Sequence, residues 1–519
     1  MQMTQGLQRS LQQTPDRTAT VFRGRRRSFR QFAARVARLA GALQGLGVQP
    51  DDRVGILALN SDHYLEVMMA TWWAGAVLNP VNIRWSVPEI VYSLDDCDTR
   101  ILFVDDRFTP LADAICASAR HAPRLIHAGE QELPHDMLRY EQLIGNAAPV
   151  PDARRADVDL ACIMYTGGTT GFPKGVMQTH RNLWCGALQR IAEIPPLPRS
   201  VLLHSAPLFH IGALSRAMMQ FVSGGTHVIV PGFEPAELLH TIEREGVNEL
   251  ALVPTMIQAL IAHPDFERTD LSGVKRLSYG ASPILPTVLE DMLSALPGVD
   301  FFHQYGLTEA CPIVSVNPPE NHAEQGRANG LSGSAGRAVP GVEVKIVDDD
   351  GRELPPGSVG EIVVRGPNIT SGYWNKPAET SAALRDGWLF TGDGAWMDEA
   401  GHLFVVDRIK DMIVTGGENV YSAEVEGVIA RHPAVAMCAV IGIPHPTWVE
   451  AVHAVVVLRP GASLDADAVR AHCRDSIAGY KCPKSVEFRA ELPLSGAGKV
   501  LKRELRAPFW PARAAAATP

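Results

Sequence analysis

The sequence predicts an α/β protein with a large amino-terminal domain and a smaller α+β unit behind it. Three observations carry that reading. At 519 residues the chain exceeds what one hydrophobic core comfortably serves, so at least two domains are expected. In the first two thirds, short apolar runs bounded by turns alternate with stretches whose apolar residues recur every three or four positions. That is the pattern of largely parallel sheets covered by helices. From Val342 the texture changes to short strands separated by Asp/Gly turns, then to a compact mixture of helix and strand.

Taken in order, Arg23, Arg25, Arg26 and Arg27 surround Gly24 between Thr20-Val21-Phe22 and Ser28-Phe29. This tight basic cluster reads as the exposed turn of a hairpin rather than a binding patch. Residues 29–46 and 235–245 carry helical spacing, and residues 54–60, 76–81, 101–105, 160–165, 201–205, 227–231, 249–253 and 276–279 read as buried strands. Residues 342–347, 360–365 and 402–406 look like short antiparallel strands. A smaller α+β pattern follows in 423–431, 435–441, 451–458 and 465–478, and 512–519 reads as a frayed tail. The charged string Asp407-Arg408-Ile409-Lys410-Asp411 separates two strand-like runs and gives the best boundary: domains 1–409 and 410–519.

Apolar residues at 46% and charged residues at 20% describe an ordinary globular chain. A formal charge of −9 argues against a nucleic-acid or anionic-membrane surface. The amino terminus lacks the apolar segment of a signal peptide, and no 18-residue apolar stretch spans a membrane. Eight cysteines without a C-x-x-C pair fit reduced thiols, so the cytoplasm is the expected compartment. No Cys/His cluster suggests a zinc held by the protein.

Chemistry concentrates in residues 165–175, Tyr-Thr-Gly-Gly-Thr-Thr-Gly-Phe-Pro-Lys-Gly. Gly167, Gly168 and Gly171 let successive amide groups converge on one anion. Thr166, Thr169 and Thr170 add hydroxyl donors and Lys174 adds a cation, which together make a polyphosphate cradle. The Walker form is absent, because Lys174 lies between Pro173 and Gly175 instead of preceding Ser or Thr. Further along, His303-Gln304-Tyr305-Gly306-Leu307-Thr308-Glu309 places Glu309 where Mg²⁺ would need an anionic oxygen. Thr308 could donate to a phosphate oxygen, and Tyr305 offers a flat face for adenine.

These strings closely resemble the adenylate-forming enzymes: acyl-CoA synthetases, 4-coumarate–CoA ligases, luciferases and peptide-synthetase adenylation domains. The resemblance rests on five ordered motifs and covers nearly the whole chain. One departure is Gly168, where the family usually carries Ser. The resemblance implies a small β-barrel-like region and a mobile carboxy-terminal domain hinged at Lys410. It implies an adenine pocket at Tyr279-Gly280-Ala281-Ser282-Pro283, with His303, Gln304 and Tyr305 at the nucleotide. It also implies a ribose carboxylate at Asp393 in Thr391-Gly392-Asp393, and a nucleotide-facing cation at Arg408. Lys499, on the Pro493-to-Lys499 loop, would stabilise charge on the α-phosphate as it develops. His210, in Pro207-Leu208-Phe209-His210-Ile211-Gly212, resembles the gate of the carboxylate pocket. Gly416 and Gly417 resemble the backbone lining of the pantetheine tunnel.

The activity so implied is acid–CoA ligation: ATP, Mg²⁺ and coenzyme A, with acyl-AMP formed first and the thioester second. An apolar monocarboxylate of medium or greater length is the expected acid, a fatty acid above all, with an arylpropenoic acid of the 4-coumarate or ferulate kind as the alternative. Gly306 is expected to leave room beyond the carboxylate, with Ile211, Leu214, Leu307 and Ile313 around it and no paired cation for a second carboxylate. A non-catalytic nucleotide- or acyl-binding homologue is the rival from another class, and a homodimer is left open.

Overall fold

The computed structural model describes residues 1–132, 136–166, 173–282, 284, 286–415, 418–495 and 498–510. Each part of the predicted α/β architecture is present in them. A seven-stranded sheet runs Leu138–Arg139, Arg124–His127, Thr99–Val104, Arg53–Leu57, Val77–Pro80, Leu160–Thr166, Lys174–Thr179, parallel except for its last pair. A nine-stranded sheet places Asp300–Gly306 beside Arg276–Gly280 on one side and Ile313–Asn317 on the other. One large core cluster fuses the two sheets. Phe29, Phe32, Tyr64, Trp72 and Phe221 all sit in it at no more than 1% exposure.

Local chemistry explains the elements that position the site. The helix Phe29–Gly45 opens on a capping box: Ser28 Oγ accepts from the Gln31 N–H, and Gln31 Oε1 accepts from the Ser28 N–H. The helix Pro235–Glu245 has Pro at its first position and ends at Gly246, whose φ of 61° a side chain would disfavour. The basic hairpin forms as expected, with strands Thr18–Phe22 and Arg25–Ser28 turning at Arg23 and Gly24. Its arginines point inward as well as out. Arg25 Nε lies 2.8 Å from Asp62 Oδ2, and Arg27 pairs with the same buried carboxylate.

Behind these sheets a five-stranded antiparallel sheet, Glu343–Val347, Gly360–Arg365, Trp388–Met397, Leu384–Arg385 and Leu403–Arg408, forms the half-barrel. The turn Ile409–Asp411 leads from it into the smaller carboxy-terminal domain. There Val435–His445 and Val449–Leu458 form the central hairpin, packed by the helices Ser422–Ile429 and Ala466–Arg474. All eight cysteines are free. No helix of the described residues is long and apolar enough to cross a membrane.

Candidate active site

The expected phosphate loop is the connection between two antiparallel strands, Leu160–Thr166 and Lys174–Thr179, with Thr166 opposite Lys174. Gly167, Gly168, Thr169, Thr170 and Gly171 lie outside the described residues, as do Gly416 and Gly417. Lys174 Nζ sits 5.1 Å above the ring of Tyr373. The Tyr373 hydroxyl in turn donates to Glu309 Oε1 at 2.9 Å, and burial together with the Glu309 charge raises the phenol's pKa. Backbone hydrogen bonds stitch this segment in place: Trp374 N–H to the Gly175 carbonyl at 2.7 Å, and Thr370 N–H to the Glu309 carbonyl at 2.8 Å. Tyr373 was not among the residues expected from sequence. Its signal was the aromatic pair Tyr373-Trp374 after Ser371-Gly372.

Thr308 and Glu309 occupy the short turn Thr308–Ala310, whose Thr308 carbonyl accepts from Gln178 Nε2. Tyr305 reaches the half-barrel, donating its hydroxyl to Asp393 Oδ2 at 2.8 Å, and Arg408 Nε lies 3.4 Å from Asp393 Oδ1. The expected ribose carboxylate, adenine platform and junction arginine are thus one connected group. His303 stacks on Tyr279 at 4.9 Å, and its Nδ1 donates to the Ser334 carbonyl. Beside it the strand Arg276–Gly280 ends in a turn at Ala281, a non-glycine residue at φ 69°, followed by Ser282.

Two expectations need correcting. Gln304 was placed with the nucleotide, but strand alternation puts it on the opposite face from His303 and Tyr305. There its Nε2 donates to Ser278 Oγ, while its Oε1 accepts from Arg190 Nε at 3.1 Å and Arg216 Nη2 at 3.4 Å. Arg190 and Arg216 are two cations on this face that the sequence reading did not include. Gly306 does not open a pocket: a Cβ there would lie 1.6 Å from the Pro312 carbonyl oxygen. The space is filled by backbone, and of the supposed pocket wall Leu214 and Ile313 are core residues at 0% and 1% exposure.

The carboxy-terminal segment around Lys499 meets the amino-terminal domain. The Ser495 carbonyl accepts from Arg84 Nη1 at 2.9 Å, and a Cβ at Gly498 would fall 2.8 Å from Thr255 Oγ1. Lys499 is near enough to act on His210, which starts the helix Ile211–Ser223. Desolvation, then the charges of Lys499 and Arg84, pushes His210 down to about 3, so its imidazole is neutral at physiological pH. His210 Nε2 is buried without a hydrogen-bond partner among the described residues. A separate cleft of about 440 Å³ beside Asn60, Asp106 and Pro231 contains none of the expected site residues.

Lys174 and Glu309 thus meet at Tyr373, and Asp393 joins Tyr305 and Arg408. The chain belongs to the AMP-binding enzyme family, whose model matches residues 7–374, with the model of the family's C-terminal domain matching 424–499. It is 39% identical to a feruloyl-CoA synthase of an Amycolatopsis species over 96% of this chain and 98% of that one. It is 34% identical to a long-chain-fatty-acid–CoA ligase of Escherichia coli, over 96% and 93%. Its fold matches the ATP-bound structure of MatB from Rhodopseudomonas palustris with a TM-score of 0.88 at 31% identity, over 98% of each chain. The activity is that of an AMP-forming acid–CoA ligase.

Proposed function

We propose that this ligase activates a medium-length carboxylic acid, an arylpropenoate in preference to an aliphatic fatty acid, at the junction of Lys499, His210 and Glu309. The observation that supports the reading is the seating of the Lys499 segment on the amino-terminal domain, where the Ser495 carbonyl accepts from Arg84 and the charges of Lys499 and Arg84 both act on His210. The preference for an arylpropenoate draws on the feruloyl-CoA synthase relative and on the polar side chains at Gln304.

In the first half-reaction an acid oxygen bonds to the α-phosphorus of ATP as the bond to the β-phosphate oxygen breaks, releasing pyrophosphate. Lys174 and Thr308 hold phosphate oxygens, Asp393 accepts from the ribose hydroxyls, and Lys499 offsets the charge that develops on the α-phosphate. Neutral His210 positions the carboxylate through the free Nε2. Glu309 suits Mg²⁺, which takes few carboxylates and completes its shell with phosphate oxygens and water. Tyr373 engages one oxygen of that carboxylate and leaves the other available. No group of three His, Cys, Asp or Glu side chains that could hold a metal ion exists among the described residues; an ion carried by ATP phosphates does not need one. When bound, the ion would neutralise phosphate charge. In the second half-reaction the coenzyme A thiol attacks the acyl carbon and AMP leaves. A rotation at Lys410, dividing domains 1–409 and 410–519, would withdraw Lys499 and bring the segment of Gly416 and Gly417 to the thiol. The cytoplasm suits these substrates.

ATP–pyrophosphate exchange and CoA-thioester formation across fatty, aryl and arylpropenoic acids test the reading. Thioester formation with an arylpropenoate at the highest kcat/KM is the expected result. No exchange with any acid would overturn it, and a long-chain fatty acid as best substrate would replace the acid assignment.

A further inference from the structure

The helix Ile211–Ser223 is buried along almost its whole length, yet Gly212 in its first turn is exposed, and a Cβ there would have nothing within 4 Å. One turn further on the same face stands Arg216. Its Nη2 lies 3.4 Å from Gln304 Oε1, the same oxygen that accepts from Arg190 Nε at 3.1 Å. Arg190 is 3% exposed and also donates to Ser215 Oγ. Two guanidiniums therefore share one neutral acceptor.

Neither arginine forms an ion pair among the described residues. Glu249 acts on Arg216 electrostatically but already faces Arg276 Nη1 at 3.8 Å. His204, on the neighbouring strand, is held neutral by burial and by Arg216 itself, its pKa pushed down to about 3. Desolvation lowers both arginine pKa values; the charge of Arg216 lowers that of Arg190 further, while Glu249 partly offsets the shift of Arg216. Buried cations of this kind are costly unless an anion or strong acceptor meets them. The six-residue rise from His210 to Arg216 spans about 9 Å along the helix.

Resting on the placement of the acid's carboxylate at His210 and Lys499, we propose that Arg216 is the specificity-determining residue for an oxygen at the far end of the acid. That oxygen, a phenolic oxygen or a second carboxylate about 9 Å along the helix axis from the reacting carboxyl, accepts from Arg216, on the helix face that Gly212 leaves open. Arg190 and Gln304 position the guanidinium. An arylpropenoic acid with an oxygen at the ring position opposite the propenoate has this length, as does an eight-carbon dicarboxylate.

The test compares kcat/KM for 4-hydroxycinnamate against cinnamate, and for octanedioate against octanoate, in wild type and in Arg216→Met. A site built to bond an oxygen rejects the analogue lacking it, so wild type should favour the oxygenated member of one pair by roughly 10- to 100-fold or more. The favoured pair tells phenol from carboxylate. Arg216→Met should abolish that preference, mainly through KM, and raise activity on the unsubstituted acid, an improvement a merely structural arginine would not give. Equal wild-type kcat/KM within both pairs overturns the inference, even if the variant fails to fold. So does an unchanged preference in Arg216→Met. Failure of pyrophosphate exchange with every acid would count against the ligase reading instead.

Discussion

Replacing Tyr373 with Phe isolates one hydrogen bond of the phosphate site. The hydroxyl donates to Glu309 at 2.9 Å while the ring faces Lys174 at 5.1 Å, so the change removes the donor and keeps the ring. A hydrogen bond to a charged group contributes about 1.5–3 kcal/mol. Glu309 is partly exposed, which favours the low end, and about 1.5 kcal/mol corresponds to roughly a tenfold loss. The loss should fall on ATP–pyrophosphate exchange and appear as a higher magnesium requirement, because a carboxylate without its donor is less well oriented. Tyr373→Ala should lose a further factor of about 3, from a cation–π contact of about 0.5–1 kcal/mol. Thioester formation from supplied acyl-adenylate should be unchanged in both. Wild-type exchange and magnesium dependence in the Phe variant, or equal losses in the two half-reactions, would refute the role given to Tyr373.

Lys499→Ala should reduce adenylation by about 10²–10³-fold and spare thioester formation from supplied adenylate; the reverse split would remove Lys499 from the first step. Lys410→Pro, which fixes φ, should leave pyrophosphate exchange nearly intact and block transfer to CoA, and a matched loss of both steps would count against a hinge there. Gly306→Ala should lower stability by on the order of 3 kcal/mol, because its Cβ would overlap the Pro312 carbonyl; a melting temperature within two degrees or so of wild type would contradict that. Acid should destabilise the fold through buried histidines. His180 and His322 are pushed down to about 4 and His204 and His210 to about 3, by burial first in every case. Below about pH 6.5 the unfolded chain binds protons that the native one refuses, so stability present above that pH is lost as pH falls toward 4. Each histidine contributes a slope of about 1.4 kcal/mol per pH unit. A melting temperature flat between pH 6.5 and 5 would contradict these environments.

The fold was legible because its signals are local and redundant. The run Leu160-Ala161-Cys162-Ile163-Met164-Tyr165 could only be a buried strand, and Pro235 to Gly246 carries its own start and stop. Glu309, Asp393 and Lys499 became candidates because their strings resemble the family's motifs in the same order along the chain. What sequence hid was contact between distant segments. Tyr373 meets Glu309 from 64 positions away, and nothing in either neighbourhood announces the other. Gly306 was misread because the occupant of its missing side chain, the Pro312 carbonyl, comes from the residue just before the adjacent antiparallel strand Ile313–Asn317. Arg190 and Arg216 were not singled out from the sequence, since charge alone does not reveal a buried face. Their convergence on Gln304 depends on which side of the strand that residue takes.

The ion pair between Asp393 and Arg408 has a thermodynamic consequence. Arg408 is the last residue before the Ile409–Asp411 turn, and its side chain is 49% exposed. On the proposed reading, ribose hydroxyls and the guanidinium compete for one carboxylate, so nucleotide occupancy and the domain arrangement draw on a common free energy. Whichever arrangement loosens the 3.4 Å pair binds nucleotide more tightly, and by reciprocity nucleotide populates that arrangement to the same degree. An exposed pair of this kind contributes about 0.2–1 kcal/mol, a bias of no more than roughly fivefold. That is enough to favour an order of events, and small enough that the departure of AMP lets the smaller domain return.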